Sequence, residues 1–334
     1  MRLGLSAETY RWVAFPWMRA DAPGFRSSGH YAPYILSTEV PAPDTYLPDW
    51  LLARTLAHGL RVLTLDVGLL GDKSMAESFG RRCTAAGVDL LGSVSLDLCG
   101  GDEQWKLGST DEDSAWFDPE RAGPLHTGWI GSSERSIALE AMRRARAAGI
   151  SVLSLVHGHP DRGHRYTRTI PVDEYVDRMT RNVATLVPQA ETHGLVLALE
   201  PHMDFRCAEF VQVVTAVNTS HLGLVMDFAD PLSVNEDPLV AVREAAPHVV
   251  GVHLRDMRVQ ALTEIATGAF FHTPIGDGSV PIGEMLQVLH EECPNGTSLP
   301  CCFKVVTRPE HDVEAWLTAS VARVRENHAP YWSD

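Results

Sequence analysis

Short apolar segments alternate with amphipathic segments along almost the whole chain, and this alternation restricts the fold more than any other feature. Eight apolar segments have the length and composition of buried strands, and about eight segments of helical periodicity separate them. Strands that alternate with helices form parallel sheets, and eight such units favour a closed barrel over an open sheet. The sequence therefore predicts an α/β fold, a single (β/α)8 TIM barrel domain over residues 1–334.

A doubly wound open sheet is the alternative arrangement of the same alternating elements. A sheet of that kind carries a glycine-rich turn after an early strand when it binds nucleotides. Neither G-x-G-x-x-G nor G-x-x-x-x-G-K-[ST] occurs in the sequence. The closed barrel is therefore the preferred prediction.

Two segments interrupt the regular alternation. A loop rich in aromatic residues follows the first strand and runs to about Pro43, and its length is typical of a cover over a pocket. A polar, acidic insertion follows the third strand, from Cys99 to about Gly131. Between the fourth and fifth strands, the pattern predicts one helix over roughly Val172–His193.

The composition excludes some classes of function. The formal net charge is -15, which argues against the clustered Lys and Arg that bind a phosphate backbone. No apolar segment approaches the roughly 20 residues that cross a bilayer, and no signal peptide is evident at the N-terminus. The six cysteines form no disulfide pattern. We therefore expect a cytoplasmic protein without nucleic-acid or membrane partners.

Three predicted strands end in residue types that bind divalent cations. Apolar segments lead into Glu200 of the fifth strand, Asp227 of the sixth and His253 of the seventh. The C-terminal ends of the strands of a (β/α)8 barrel meet on one face, where the active site lies. The three side chains are therefore expected to converge on one divalent ion.

Other ionisable residues are predicted on the same face of the barrel. They lie at or just after the end of a strand: Asp66, His157, His159, His202, Asp230, Arg255, Asp256 and Lys304. Each of them alone is as readily explained as a helix cap or a member of an ion pair. Because so many buried ionisable groups are costly without a shared purpose, their combination favours an active site.

These segments resemble the xylose isomerase-like barrels, the sugar phosphate isomerase/epimerase family that includes endonuclease IV. The resemblance is clearest from about Leu195 to Glu292 and rests on four segments in matching order: Leu197-Ala-Leu-Glu-Pro-His202, Gly223-Leu-Val-Met-Asp227, Gly251-Val-His-Leu-Arg-Asp256 and Pro274-Ile-Gly-Asp-Gly-Ser-Val-Pro-Ile282. It implies that Glu200, Asp227 and His253 bind a divalent metal ion, Mn²⁺ or Mg²⁺, with Zn²⁺ less favoured.

The sequence departs from the family pattern at two places. The resemblance implies a His two or three residues after the sixth-strand Asp, where this chain has Ala229 and Asp230. It also implies a Glu in the eighth strand as fourth ligand and base, where this chain has Lys304. Near a metal ion, repulsion and burial would depress the pKa of a lysine. Three explanations stay open: Lys304 acts as base or electrostatic partner, the metal site is weakened or absent, or the strand alignment is shifted and another acid such as Glu310 reaches in.

The resemblance implies proton transfer at a carbon next to a carbonyl, with the metal ion stabilising an enediolate. Glu200 is the first candidate for the acid–base group, and His202, His157 and Lys304 are candidates for the second. The other predicted contacts with the substrate share a position on the loops above the barrel, and they are Arg255, Arg258, His159, Trp12, Phe15 and Trp17.

Three functions remain open at this stage. The first is a metal-dependent isomerase or epimerase that acts on a sugar, keto-sugar or related polyol. The second is a lyase or dehydratase that eliminates from a 3-keto-glycoside or a dehydroshikimate-like substrate. The third is a barrel subunit that has lost catalysis. The expected partner is a small sugar-like molecule, and the sequence leaves open a homo-oligomer or a hetero-oligomer. DNA repair of the endonuclease IV type is disfavoured because the chain is strongly acidic.

Overall fold

Eight parallel strands close into a barrel in the structure, which is a computed structural model. The structure describes residues 1–10, 41, 45–106, 115–123, 126–157, 165, 170–202, 204–262, 267–308 and 311–332. The barrel strands are β1 (Arg2–Ser6), β2 (Val62–Asp66), β3 (Asp89–Ser95), β4 (Val152–Val156), β5 (Val196–Glu200), β6 (Leu222–Asp227), β7 (Val249–Leu254) and β8 (Pro300–Phe303). Each strand pairs with its neighbours in the chain, and β8 pairs with β1. The predicted closed barrel is confirmed.

Helices connect the barrel strands. The α-helices span Leu47–Ala57, Lys73–Ala85, Asp102–Trp105, Glu134–Ala147, Val172–Ala184, Val187–His193, Cys207–Val217, Asp230–Ser233, Pro238–Ala245, Ile282–Glu292 and Val313–Asn327. Short 3₁₀ turns cover Ala7–Tyr10, Val67–Leu70, Ala246–His248 and Ala329–Tyr331. None of the helices in the described part of the chain is long and apolar enough to cross a membrane.

The strands form because their side chains are apolar on both faces. Every residue of β6 is buried, and Leu63, Leu153 and Leu197 are fully excluded from solvent. Burial on both faces is typical of parallel strands that are covered by helices. Ionisable side chains such as Glu200 and Asp227 accordingly stand at the C-terminal ends of their strands, where the barrel opens.

One predicted helix is wrong in its extent. The segment predicted as a single helix over Val172–His193 forms two helices, which are separated near Thr185 and Leu186. Pro188 stands in the first turn of the second helix, and proline lacks the N–H that a continuous helix would need there. The break therefore follows from the covalent structure of proline.

Two antiparallel ribbons stand beside the barrel, and neither was predicted from the sequence. The first ribbon pairs Ala115–Gly123 with His126–Gly131 inside the acidic insertion after β3. The second ribbon pairs Asp256–Leu262 with Thr267–Thr273 directly after β7. The aromatic-rich loop after β1 lies largely outside the described residues, which lack 11–40.

The loop after the second ribbon is organised by one carboxylate. Asp256 accepts hydrogen bonds from the backbone N–H groups of Met257, Gly276, Gly278 and Val280, at 2.8–3.2 Å. The backbone at Gly278 passes so close to Asp256 that a Cβ there would lie 2.0 Å from Oδ1 of Asp256. A side chain at this position would have to push the carboxylate away from its donors.

Gly278→Ala is therefore expected to lower the free energy of unfolding by about 1–3 kcal/mol, the usual cost of overpacking. Chemical denaturation of the purified variant measures this loss. Gly101→Ala is the matched control, because a Cβ on Gly101 meets no atom within 4 Å. Equal losses for the two variants would contradict the close approach at Gly278.

Candidate active site

Four neighbouring strands bring the candidate site together. Glu200 ends β5, Asp227 ends β6, His253 lies in β7 beside Asp227, and Lys304 directly follows β8. Glu200, Asp227 and His253 are buried, and each offers one ligand atom within 4.8 Å of the others. The structure therefore contains the three-residue group that the sequence predicts as a possible metal site.

Glu200 is held by three donors. Its Oε1 lies 2.9 Å from His253 Nδ1 and 2.9 Å from Lys304 Nζ. Its Oε2 accepts a hydrogen bond from Ser154 Oγ at 2.8 Å. Because a carboxylate only accepts, we assign the proton of His253 to Nδ1 when the ring is neutral. This tautomer leaves Nε2 as the basic nitrogen of His253.

A chain of buried ion pairs continues from Glu200 to Asp230. Lys304 Nζ also lies 3.2 Å from Asp227 Oδ2, the same oxygen that accepts from Arg255 at 3.1 Å. The second terminal nitrogen of Arg255 donates to Asp230 Oδ1. Among the described residues, Asp230 Oδ2 and Arg255 Nε have no hydrogen-bond partner. The chain therefore ends in polar atoms that a substrate could satisfy.

The electrostatics of the site follow from burial and from these ion pairs. Burial acts to raise the pKa of Glu200, but attraction by His253 and Lys304 outweighs it and holds the pKa well below its ordinary value. The pKa of Asp227 falls to about 2, because Arg255 and Lys304 outweigh the effect of burial. Both carboxylates are therefore ionised at neutral pH.

The pKa values of Asp230 and Lys304 are both raised above their ordinary values. Burial raises the pKa of Asp230, and the charge of Asp227 adds to this effect against the attraction of Arg255. Burial acts to lower the pKa of Lys304, but Glu200 and Asp227 outweigh it and raise the pKa above its ordinary value. Among these carboxylates Lys304 is therefore an ammonium.

The contacts of the two carboxylates do not fit a divalent ion beside this ammonium. Glu200 Oε1 already contacts two nitrogen atoms, as does Asp227 Oδ2. Asp227 Oδ1 accepts from the backbone N–H groups of Ala229 and Asp230. A carboxylate oxygen has two acceptor positions, so these three oxygens are fully used. An ion that bound both carboxylates would have to displace Lys304 or Arg255.

The other predicted residues lie around this centre at different distances. His157 is buried after β4, where its Nδ1 accepts from the backbone of Leu98 at 3.2 Å and its Nε2 lies 3.8 Å from Asp204. His202 follows β5 and lies close enough to Asp230 to act on its pKa. Arg255 is 5% exposed and paired with two carboxylates, and its predicted contact with substrate stays a prediction.

Several predicted contacts are not tested by the geometry. The residues outside the described part of the chain are Trp12, Phe15, Trp17, His159 and Glu310.

Two further predicted residues are described by the structure. Arg258 lies on the second ribbon and lines a cavity of about 330 Å³ together with Arg308 and His272. Asp66 ends β2, where its Oδ1 accepts from Gly68 N and from Trp129 Nε1.

Ser154 contacts Glu200 and was not among the residues predicted for the site. It lies in the middle of β4 beside Ala198 of β5, and its hydroxyl is buried. The only signal in the sequence is a serine inside the apolar segment Val152–Val156. A buried hydroxyl needs a partner, and on a barrel strand the partner comes from the neighbouring strand.

The fold and the site together define a (β/α)8 barrel with an ionisable centre at the C-terminal ends of β5–β8. Residues 123–318 match the family described as xylose isomerase-like TIM barrel. Because this match covers more than half of the chain, the protein belongs to that family. The resemblance in the sequence motifs is thereby confirmed.

One curated relative is similar in sequence. It is the uncharacterized protein YihM of Escherichia coli strain K12, which is 29% identical over 205 residues, 60% of this chain and 58% of YihM. The matched region thus spans less than two thirds of the relative.

Solved structures show similarity in fold. The IOLI protein with a bound zinc atom has a TM-score of 0.63 at 13% identity and matches all of both chains. The 3-keto-D-glucoside 4-epimerase YcjR from E. coli has a TM-score of 0.58 at 13% identity, covering 86% of this chain and 97% of its own. The probable 3-DHS dehydratase AsbF from Bacillus anthracis has a TM-score of 0.59 at 13% identity, covering 97% and 98%. At these identities the similarity concerns the fold alone.

Proposed function

We propose that the protein is an isomerase or epimerase that acts on a sugar, keto-sugar or related polyol by proton transfer at a carbon next to a carbonyl. The observation that carries this proposal is the buried contact of 2.9 Å between Glu200 and His253 beside the ammonium of Lys304. Such a site places a proton acceptor next to a positive charge. Epimerases among the structural neighbours support the proposal at the level of the fold.

The proton is transferred by Glu200 and His253 as a pair. The low pKa of Glu200 makes its carboxylate a weak base, but its charge fixes the N–H of His253 at Nδ1. Nε2 of His253 then takes the proton, and Glu200 stabilises the imidazolium that forms. Glu200 therefore contributes to catalysis by positioning His253, which takes the proton.

The positive charges of the site stabilise the oxyanion. When a proton leaves the carbon next to a carbonyl, negative charge develops on the carbonyl oxygen, and a fixed buried cation lowers the energy of that state. Lys304 supplies this cation. Arg255 adds a second buried positive charge, which is paired with Asp227 and Asp230. No step of this proposal uses a metal ion. The identity of an ion, Mn²⁺, Mg²⁺ or Zn²⁺, stays a prediction.

His202 is the proposed second acid–base group because it follows β5 and acts on Asp230. His157, whose Nε2 lies 3.8 Å from Asp204, stays a second candidate for this acid–base role. Trp12, Trp17 and His159 stay predicted substrate contacts, since they lie outside the described residues.

A lyase is the second candidate, and the position of Lys304 favours it. An epimerase that works on both faces of a carbon needs an acid–base group on each side, whereas an elimination needs one base and a stabilised oxyanion. Lys304 is an ammonium where the family resemblance implies a second carboxylate. The dehydratase among the structural neighbours supports this alternative at the level of the fold.

Reaction in D₂O separates the candidates. The purified protein is incubated with a panel of keto-sugars and 3-keto-glycosides, and the products are followed by NMR and mass spectrometry. Deuterium incorporation next to the carbonyl with the leaving group retained indicates an isomerase or epimerase. Release of an aglycone or of water indicates a lyase. Lys73→Met, a change on an exposed helix, is the control that should behave as wild type. If no substrate shows deuterium exchange or release of a leaving group, both enzyme candidates are contradicted and the non-catalytic barrel remains.

A further inference from the structure

The position of Lys304 is fixed by the barrel itself. Phe303 pairs with Leu254 of β7, and the backbone N–H of Lys304 donates to the Leu254 carbonyl oxygen at 2.9 Å. Cys302 is the β8 partner of His253, so Lys304 lies two residues further along the chain toward the C-terminal end of the barrel. From there its side chain, only 4% exposed, brings Nζ to Glu200 and Asp227.

Nζ lies where it contacts both carboxylates of the three-residue group. It is 2.9 Å from Glu200 Oε1 and 3.2 Å from Asp227 Oδ2, and these are hydrogen-bond distances of an ammonium to carboxylates. Glu200 and Asp227 belong to different strands, so one cation links β5 and β6 to β8. A metal ion that bound both carboxylates would perform the same linkage.

Two buried cations offset all but one unit of the negative charge of the buried carboxylates without an ion. Three carboxylates, those of Glu200, Asp227 and Asp230, face two permanent cations, those of Lys304 and Arg255. An ammonium in place of a carboxylate changes the local charge from -1 to +1. That difference of two unit charges equals the charge of a divalent ion. An entering ion would also leave the ammonium of Lys304 buried without its partners, which is costly.

We propose that the ammonium of Lys304 is the resident cation of this site and takes the place of a divalent metal ion. The site is then permanently charged, insensitive to chelators and independent of the supply of metal. The ammonium holds Glu200 and Asp227 in position and presents a positive charge to the substrate. This inference concerns the cation and stands whichever reaction the site performs.

Metal content of the purified wild-type protein is the first measurement. Elemental analysis after dialysis without chelator should find Mn, Zn, Fe, Co and Ni far below one equivalent. Titration with Mn²⁺, Mg²⁺ or Zn²⁺, followed by calorimetry and by the thermal midpoint, should show no stoichiometric binding. EDTA should change neither the thermal midpoint nor any activity found in the D₂O experiment. One tightly bound ion per wild-type chain that is lost in Glu200→Gln would overturn the proposal.

Two variants of Lys304 test the converse. Lys304→Glu and Lys304→Met remove the ammonium, so both should bind Mn²⁺ or Zn²⁺ at least about tenfold more tightly than wild type, because a repelling charge is gone. The thermal midpoint of each should rise on addition of the ion. Lys73→Met is the matched control and should bind as weakly as wild type. Unchanged metal affinity in both folded variants would overturn the proposal.

A measurement on the wild-type protein covers the case in which these variants do not fold. The chain has three lysines, Lys73, Lys106 and Lys304, so their side-chain NMR signals are few. The buried ammonium of Lys304 should show slowly exchanging protons and resist reductive methylation, whereas the exposed Lys73 and Lys106 should be modified. Addition of Mn²⁺ should leave the Lys304 signal unbroadened. Loss of that signal at one equivalent of Mn²⁺ would contradict the proposal.

Discussion

Glu200→Gln is expected to lower the turnover of the substrate found in the D₂O experiment by about 10²–10⁴-fold, the usual contribution of a positioned acid–base group. The substitution keeps the shape of the side chain but removes its negative charge. Without that charge, His253 Nδ1–H loses its carboxylate partner at 2.9 Å and the imidazolium loses its stabilisation. The rate of deuterium exchange measures the loss directly.

Two controls keep this result interpretable. Glu140→Gln changes a half-buried carboxylate that pairs with Arg143 and Arg144 on the outer helix Glu134–Ala147. Its turnover should stay within twofold of wild type, because neither pair touches the site. Circular dichroism verifies that the Glu200 variant is folded. Exchange at the wild-type rate in folded Glu200→Gln would show that the proton acceptor lies elsewhere.

The barrel could be predicted from the sequence because its strands are buried on both faces. β6 is an apolar segment that ends at Asp227, and an ionisable residue at such a place marks the open end of the strand. The same reasoning placed Glu200 and His253 correctly near the C-terminal ends of β5 and β7, the two strands that flank β6. Because β5, β6 and β7 are consecutive in the barrel, the proximity of the three side chains could be predicted without knowing which residues they contact.

The partners themselves could not be predicted, because they depend on distances between residues that are remote in sequence. Lys304 and Glu200 are separated by 104 positions, and nothing local states that an ammonium at one reaches a carboxylate at the other. Arg255 reads equally well as a substrate contact or as an ion-pair partner. In the structure it pairs with Asp227 and Asp230, and a contact with substrate stays a prediction. Register and side-chain length, which set these contacts, leave no pattern in the sequence.

The second ribbon was missed for a related reason. Its strands, Asp256–Leu262 and Thr267–Thr273, are short, largely exposed and of mixed polarity, so they carry no clear alternation. Their pairing is fixed at one end by Asp256, whose carboxylate binds the loop that follows. The family motif at Pro274–Ile282 is thus a structural loop that holds the ribbon against the end of β7, beside the site.

Arg255→Met is expected to lower the free energy of unfolding by about 3–5 kcal/mol, as is usual when one partner of a buried ion pair is removed. The variant leaves Asp227 with one cation, Lys304, and leaves Asp230 without its guanidinium. The loss should be larger at pH 8 than at pH 5. The reason is that Arg255 lowers the carboxylate pKa values, so without it the folded state takes up protons more readily and regains stability as the pH falls.

Arg258→Met is the matched control, since Arg258 lies three residues further on, at an exposed position of the second ribbon, and its loss should stay within about 0.5 kcal/mol. Denaturant unfolding at both pH values measures both variants. The double variant Arg255→Met/Asp230→Asn should recover about 0.5–3 kcal/mol relative to Arg255→Met, because the uncompensated carboxylate is then neutral. Equal losses for the two arginines, or no recovery in the double variant, would contradict the buried chain of charges from Lys304 to Asp230. Recovery would show that the cations of this site are needed chiefly to balance its carboxylates, as a metal ion otherwise would.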